Sequence, residues 1–168
     1  MQILLSLEIY LQLTKELRAA GSREIGGLLF AEHLGGDIFR LVEISVQRDG
    51  GSKGDFVRRP EEHRDQLNKF FETTGEDHIR FNYFGEWHSH PSFPAIPSPQ
   101  DIETMQSIVC DPSVGVNFSV LLIVRDERNG QLSMSATVFT VSEEPRLARI
   151  YVEASAETIP GRRRYRIL

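Results

Sequence analysis

Apolar residues recur at Ile9, Tyr10, Leu13, Leu17 and Ala20, mostly three or four apart, which predicts an amphipathic helix. Ser6 is placed to cap its start and Gly21 to end it. Residues 25–32 and 38–46 are apolar-rich and flank Gly35-Gly36-Asp37, so they read as a β-hairpin. Residues 48–59 carry Gly50, Gly51 and Gly54 and read as a loop. Pro60, Glu61 and Glu62 then open a short helix over 60–73, with Leu67, Phe70 and Phe71 as its apolar side. Ile79, Phe81, Tyr83, Gly85 and Trp87 alternate with polar or charged neighbours, a strand pattern. Pro91, Pro94, Pro97 and Pro99 are four of the eight prolines, and that density predicts a stiff extended loop. A helix over 99–109 follows, then a second hairpin from 117–125 and 131–141 around a turn at 126–130. This order of elements predicts an α/β (mixed α+β) fold, a mixed sheet flanked by helices in a single domain.

Composition narrows the chemistry. With 168 residues, 40% apolar and 26% charged, one globular domain is expected. The single cysteine, Cys110, forbids an intramolecular disulfide and a thiolate-rich zinc site. Any transition metal must therefore rest on imidazole and carboxylate, and the imidazoles are His33, His63, His78, His88 and His90. The net charge of −5 divides into about −9 over residues 1–145 and +4 over 146–168. That division predicts a domain over 1–145 and a basic C-terminal segment over 146–168, whose Arg162-Arg163-Arg164-Tyr165-Arg166 run could dock an acidic partner. An acidic body argues against nucleic-acid binding. The apolar start, Met1 to Leu7, lacks a basic flank and a cleavage site, and no apolar run reaches membrane-spanning length. No membrane association and a cytoplasmic location are expected, in keeping with the unpaired cysteine.

The segment richest in chemistry is Glu86-Trp87-His88-Ser89-His90-Pro91, continuing to Ser98-Pro99-Gln100-Asp101. On a strand, residues i and i+2 share a face, so His88 and His90 stand side by side with Cα atoms roughly 6.5 Å apart. After the proline loop, Ser98 suits an N-cap and Pro99 the first helical position, which puts Asp101 at the third. The loop can fold that helix mouth back over the strand end. Two histidines and one carboxylate on zinc leave a fourth position for water, the ligand set of a catalytic site. Glu24 and Glu86 are both eligible as the base, and residue physics alone does not choose between them. Other metal enzymes fit poorly: there is no Pro-Cys-x-x-Cys pair and no His-Glu-x-x-His. Cys110 reads as a buried helix residue, Trp87 as core, and His33, His63 and His78 as surface or hairpin-end residues.

The stretch His88-Ser89-His90-Pro91, seven residues between His90 and Ser98, and Asp101 resembles the His-x-His-x7-Ser-x2-Asp signature of JAB/MPN-type (JAMM) zinc metalloproteases. Glu24, ahead of Ile25-Gly26-Gly27-Leu28-Leu29, fits that family's upstream glutamate. The resemblance covers roughly residues 7–140. It implies a JAB/MPN-like fold and one catalytic Zn2+ held by His88, His90 and Asp101. It makes Glu24 the general acid/base that takes a proton from the zinc-activated water and hands it to the leaving amine, and Ser98 a stabiliser of the tetrahedral oxyanion. It leaves Glu86 supporting the ligands or facing solvent.

Active members of the family cut isopeptide or peptide bonds after the C-terminal tail of a ubiquitin-like protein. The expected activity is thus deconjugation or maturation of a ubiquitin-like protein, or of a protein conjugated through its own C-terminal tail. The chain looks like the small prokaryotic types, some of which accompany E1- and E2-like proteins in antiphage signalling operons. Trimming of a sulfur-carrier protein is the alternative within the family. An inert MPN scaffold that only dimerises is the alternative outside catalysis. Residues 48–59 lie where family members carry an insertion that contacts the substrate tail.

Overall fold

The computed structural model describes residues 1–49, 59–127, 129–153 and 165–167. Strand β1 (Gln2–Leu5) is followed by helix α1 (Leu7–Ala20), strands β2 (Gly26–Gly35) and β3 (Ile38–Ile44), and helix α2 (Arg64–Thr73). Strand β4 (Phe81–Ser89), helix α3 (Pro99–Cys110) and strands β5 (Phe118–Asp126), β6 (Leu132–Thr140), β7 (Arg146–Glu153) and β8 (Tyr165–Ile167) complete the order. The two expected hairpins are β2–β3 and β5–β6. The expected 60–73 helix is split, with a 3-10 turn at Pro60–Glu62 ahead of α2. Most of the glycine-rich 48–59 segment and most of the basic run at 162–166 lie outside the described residues.

These strands form one mixed sheet, β1-β3-β2-β4-β5-β6-β7-β8, in which β1 also pairs with β7. Strand β1 runs parallel to both β3 and β7 and closes the sheet on itself. The residues beyond 145, set apart on charge, thus supply β7, which pairs with β6, β1 and β8. Periodicity missed β1 because Ile3, Leu4 and Leu5 are buried in succession instead of alternating.

The closed sheet wraps α1. Ser6 Oγ accepts the Ile9 N–H at 3.2 Å, and Ile9, Leu13 and Leu17 pack against Leu5, Ile25, Leu41, Trp87 and Leu122. The other face carries α2, with Phe70 on Leu28 and Phe30, and α3, with Met105 and Val109 on Leu121, Ile123 and Phe139. Strand β5 is apolar on both faces because both are covered: Val120, Leu122 and Val124 face α1, while Leu121 and Ile123 face α3. This is a single mixed α/β domain with a sheet flanked by helices.

Strand β4 departs from the even alternation read in the sequence. The β2–β4 register passes from Leu29↔Gly85 to Phe30↔Tyr83, which leaves Phe84 as an extra residue. Gly85 takes φ 150°, and a Cβ there would meet the Val120 carbonyl oxygen at 1.9 Å. The bulge flips the pleat. Phe81 and Tyr83 lie on the α2 side, whereas Phe84 and Trp87 lie on the α1 side. Ile79 falls outside the strand and is exposed. Beyond the bulge, Glu86 and His88 stand on the α3 side, beside their β5 partners Leu121 and Ile123.

Candidate metal centre

Strands β4 and β5 are parallel, so the chain must cross from the end of one to the start of the other. The proline loop and α3 make that crossing, and α3 therefore begins beside the C-terminal end of β4. This topology joins the two halves of the motif: His88 and His90 at the strand end, Ser98 and Asp101 at the helix start.

The local chemistry fixes each group. Ser98 Oγ accepts the Asp101 N–H at 3.2 Å, and Asp101 Oδ2 accepts the Ser98 N–H at 2.7 Å, a reciprocal capping box with Pro99 in the first turn. That bond holds the Asp101 carboxylate still and leaves Oδ1 turned to the histidines, 3.4 Å from His88 Nε2. His90 Nδ1 lies 2.8 Å from the Pro94 carbonyl oxygen. A carbonyl only accepts, so Nδ1 carries the proton and Nε2 of the neutral ring keeps its lone pair. The proline loop thus both orients His90 and sets its tautomer.

His88 Nε2 and His90 Nε2 are 3.1 Å apart. Two ligands each about 2.0–2.1 Å from a tetrahedral ion stand about 3.3 Å apart. The spacings of 3.1 and 3.4 Å lie on either side of that value. One ligand atom from each of His88, His90 and Asp101 lies within 4.8 Å of the others, and the three can coordinate one metal ion. Burial pushes the His88 imidazole from its usual 6.5 down to about 4; Asp101 opposes that shift and His90 adds to it. His88 is therefore neutral at pH 7, as a ligand must be.

The cluster opens into a cleft of about 940 Å³ that Glu24 and Glu86 line together with the three residues and Ser98. Glu24 and Glu86 are 5% and 8% exposed, so Glu86 does not face solvent. The structure brings all five sequence-predicted site residues to this cleft, and the rival carboxylate with them.

A family model for prokaryotic homologues of the JAB domain matches residues 6–138. The chain belongs to that family. Among its relatives, a protein from Enterobacter hormaechei subsp. hoffmannii named CD-NTase/cGAS isopeptidase is 26% identical over 137 residues, 80% of this chain and 73% of the relative. The solution structure of protein DSY2949 from Desulfitobacterium hafniense superposes with a TM-score of 0.66 at 22% identity, covering 92% of this chain and 95% of that one.

In this JAB domain, two sequence expectations about other residues fail. Cys110 is exposed at the end of α3. His63 is buried at the start of α2, with Nδ1 2.7 Å from Ser45 Oγ. Trp87 is fully buried on the opposite pleat from His88, and its indole N–H donates to the Ser45 carbonyl at 2.8 Å. The Ser89 hydroxyl was not singled out in the sequence; it accepts the Ile25 N–H at 3.0 Å. The signal was its place between two ligands on a strand, where its own side chain has to point away from them. No helix among the described residues is long and apolar enough to cross a membrane.

Proposed function

We propose that this JAB domain is a zinc-dependent isopeptidase or peptidase that cleaves after the C-terminal tail of a ubiquitin-like protein, or of a protein conjugated through such a tail. The observation that carries the reading is that His90 Nε2 and Asp101 Oδ1 stand 3.1 and 3.4 Å from His88 Nε2, all three ligand atoms within 4.8 Å of one another, beside a buried glutamate in one cleft. The relative named as an isopeptidase favours the isopeptide class. Work alongside E1- and E2-like proteins, reversing their conjugation in antiphage signalling, follows as the biological setting of the proposal.

His88, His90 and Asp101 hold the ion, with His90 set by Pro94 and Asp101 by the capping box. Bound zinc supplies Lewis acidity and lowers the pKa of water toward about 7. Glu24 then takes the proton of the attacking water and delivers it to the departing amine, which needs a carboxylate able to reach both atoms from the cleft wall. Ser98 accepts the Asp101 amide through its oxygen, and its own hydroxyl proton is directed at the carbonyl oxygen as charge builds there. An extended tail in the cleft is held by backbone pairing. Glu86, two residues before His88 on the same strand face, lines the same cleft.

The test is zinc analysis of the purified protein with cleavage assays of wild type and Glu24→Gln. One equivalent of zinc in both, and cleavage of a ubiquitin-like C-terminal amide only by wild type, is the expected result. Absent zinc together with absent cleavage overturns the reading and leaves the inert scaffold, and equal cleavage by Glu24→Gln overturns the role given to Glu24. Cleavage confined to a sulfur-carrier tail moves the substrate to that class.

A further inference from the structure

We propose that Ser89 is a positioning residue for Glu24, its hydroxyl tying the chain just after Glu24 to the ligand-bearing end of β4. The proposal rests on the reading of Glu24 as the proton carrier.

Strands β2 and β4 are antiparallel, and their last registered pair at this end is Gly26↔His88. One step further, Ile25 and Ser89 face each other. A hydrogen-bonded antiparallel pair exchanges two backbone bonds. Here only one is of that kind, Ser89 N–H to the Ile25 carbonyl at 2.8 Å. The second runs from Ile25 N–H to Ser89 Oγ at 3.0 Å. The hydroxyl thus stands where a main-chain carbonyl would be expected.

The next amide explains why. His90 N–H donates to the Val124 carbonyl of β5 at 2.9 Å, so beyond Ser89 the chain stays with β5 as β2 is left behind. The two strands must part here, because His90 continues into the proline loop and Glu24 lies on the approach to β2. A side-chain acceptor lets the main chain of β4 leave without releasing Ile25. Ile25 and Ser89 are 1% and 2% exposed, so bulk water does not replace a missing hydroxyl. Glu24 is bonded directly to Ile25, is itself buried, and lines the cleft with both histidines. Because successive strand side chains alternate, Ser89 serves Glu24 from the face opposite the two ligands.

The isosteric pair Ser89→Thr and Ser89→Val separates hydroxyl from shape. The full chain, loaded with one equivalent of zinc, is assayed on a fluorogenic amide of a ubiquitin-like C-terminal tail. Ser89→Val is expected to lower kcat about 10–100-fold, the usual cost of losing such a supporting bond, with KM and zinc affinity unchanged. Ser89→Thr restores kcat. Independently of activity, Ile25 amide exchange in the metal-free chain accelerates in Ser89→Val and not in Ser89→Thr, and a crystal structure of Ser89→Val finds the Glu24 carboxylate displaced.

Equal kcat for the two variants, or an unchanged Glu24 position in Ser89→Val, overturns the proposal. If wild type cleaves nothing, the proposed function falls, and the Ile25 exchange and the Glu24 position still decide the role of Ser89. Should Ser89→Val fail to fold, Ser89→Ala, which only deletes the hydroxyl, is read in the same way.

Discussion

Trp87 and His88 are adjacent in the chain and both are buried, at 0% and 8% exposure, yet they do opposite things. Trp87 enters the α1 side of the sheet, where apolar neighbours surround it and its one polar atom is spent on the Ser45 carbonyl. His88 enters the α3 side, where burial holds its ring neutral and two further ligand atoms converge on it. The two faces of one strand show that burial alone says little about purpose. What separates them is whether the polar atoms are satisfied inside the protein or collected around one point.

Ligand removal should break the α3 face most severely. Asp101→Ala or His88→Ala is expected to lose stoichiometric zinc and reduce cleavage by about 10³-fold or more, roughly 4 kcal/mol of transition-state stabilisation. Zinc analysis and steady-state kinetics check this, with circular dichroism confirming an intact fold. Trp87→Ala should do the reverse. It is expected to lower unfolding stability by about 3–5 kcal/mol in denaturant titrations, because it opens a cavity and orphans the Ser45 carbonyl, while the ligand set survives.

Acid sharpens the contrast. The native His88 pKa, about 4, lies below the 6.5 of the unfolded chain, so below pH 6.5 the unfolded state takes up the proton first. The metal-free protein should therefore lose stability, of the order of 2–3 kcal/mol, as the pH falls from about 6.5 to about 4. His88→Asn should remove that slope, and Trp87→Phe should leave it in place; urea titrations across the pH range measure both. The smallest effect belongs to the helix start. Ser98→Ala should cost about 1 kcal/mol of stability through the lost cap, read from the same titrations.

Local chemistry made much of this molecule legible in advance. The α1 stripe, both hairpins and the Ser98 cap depend on residues a few positions apart, and so does the convergence of His88, His90 and Asp101 once the proline loop is fixed. Long-range structure was less legible. That Ile3–Leu5 is a strand depends on partners near residues 38 and 150. The bulge at Phe84 depends on how closely Gly85 approaches Val120, and it changes which side chains share a face with His88. His63 looked peripheral because nothing nearby in sequence announces Ser45. Glu24 and Glu86 could not be told apart because both reach the cleft, one from the approach to β2 and the other from β4.

The closure of β1 against β7 also bears on the order in which the molecule is made. Gln2–Leu5 is synthesised before its partners Arg149–Val152, which follow about 147 residues later in the chain. Until then β1 has one uncovered, apolar edge, open to pairing with another chain. Contacts this distant in sequence close late and slowly. A newborn chain can therefore assemble the β2–β4–β5 framework and its histidines well before β1 is covered on both sides. Truncation within β7 should harm solubility during synthesis more than it harms the geometry of the metal centre.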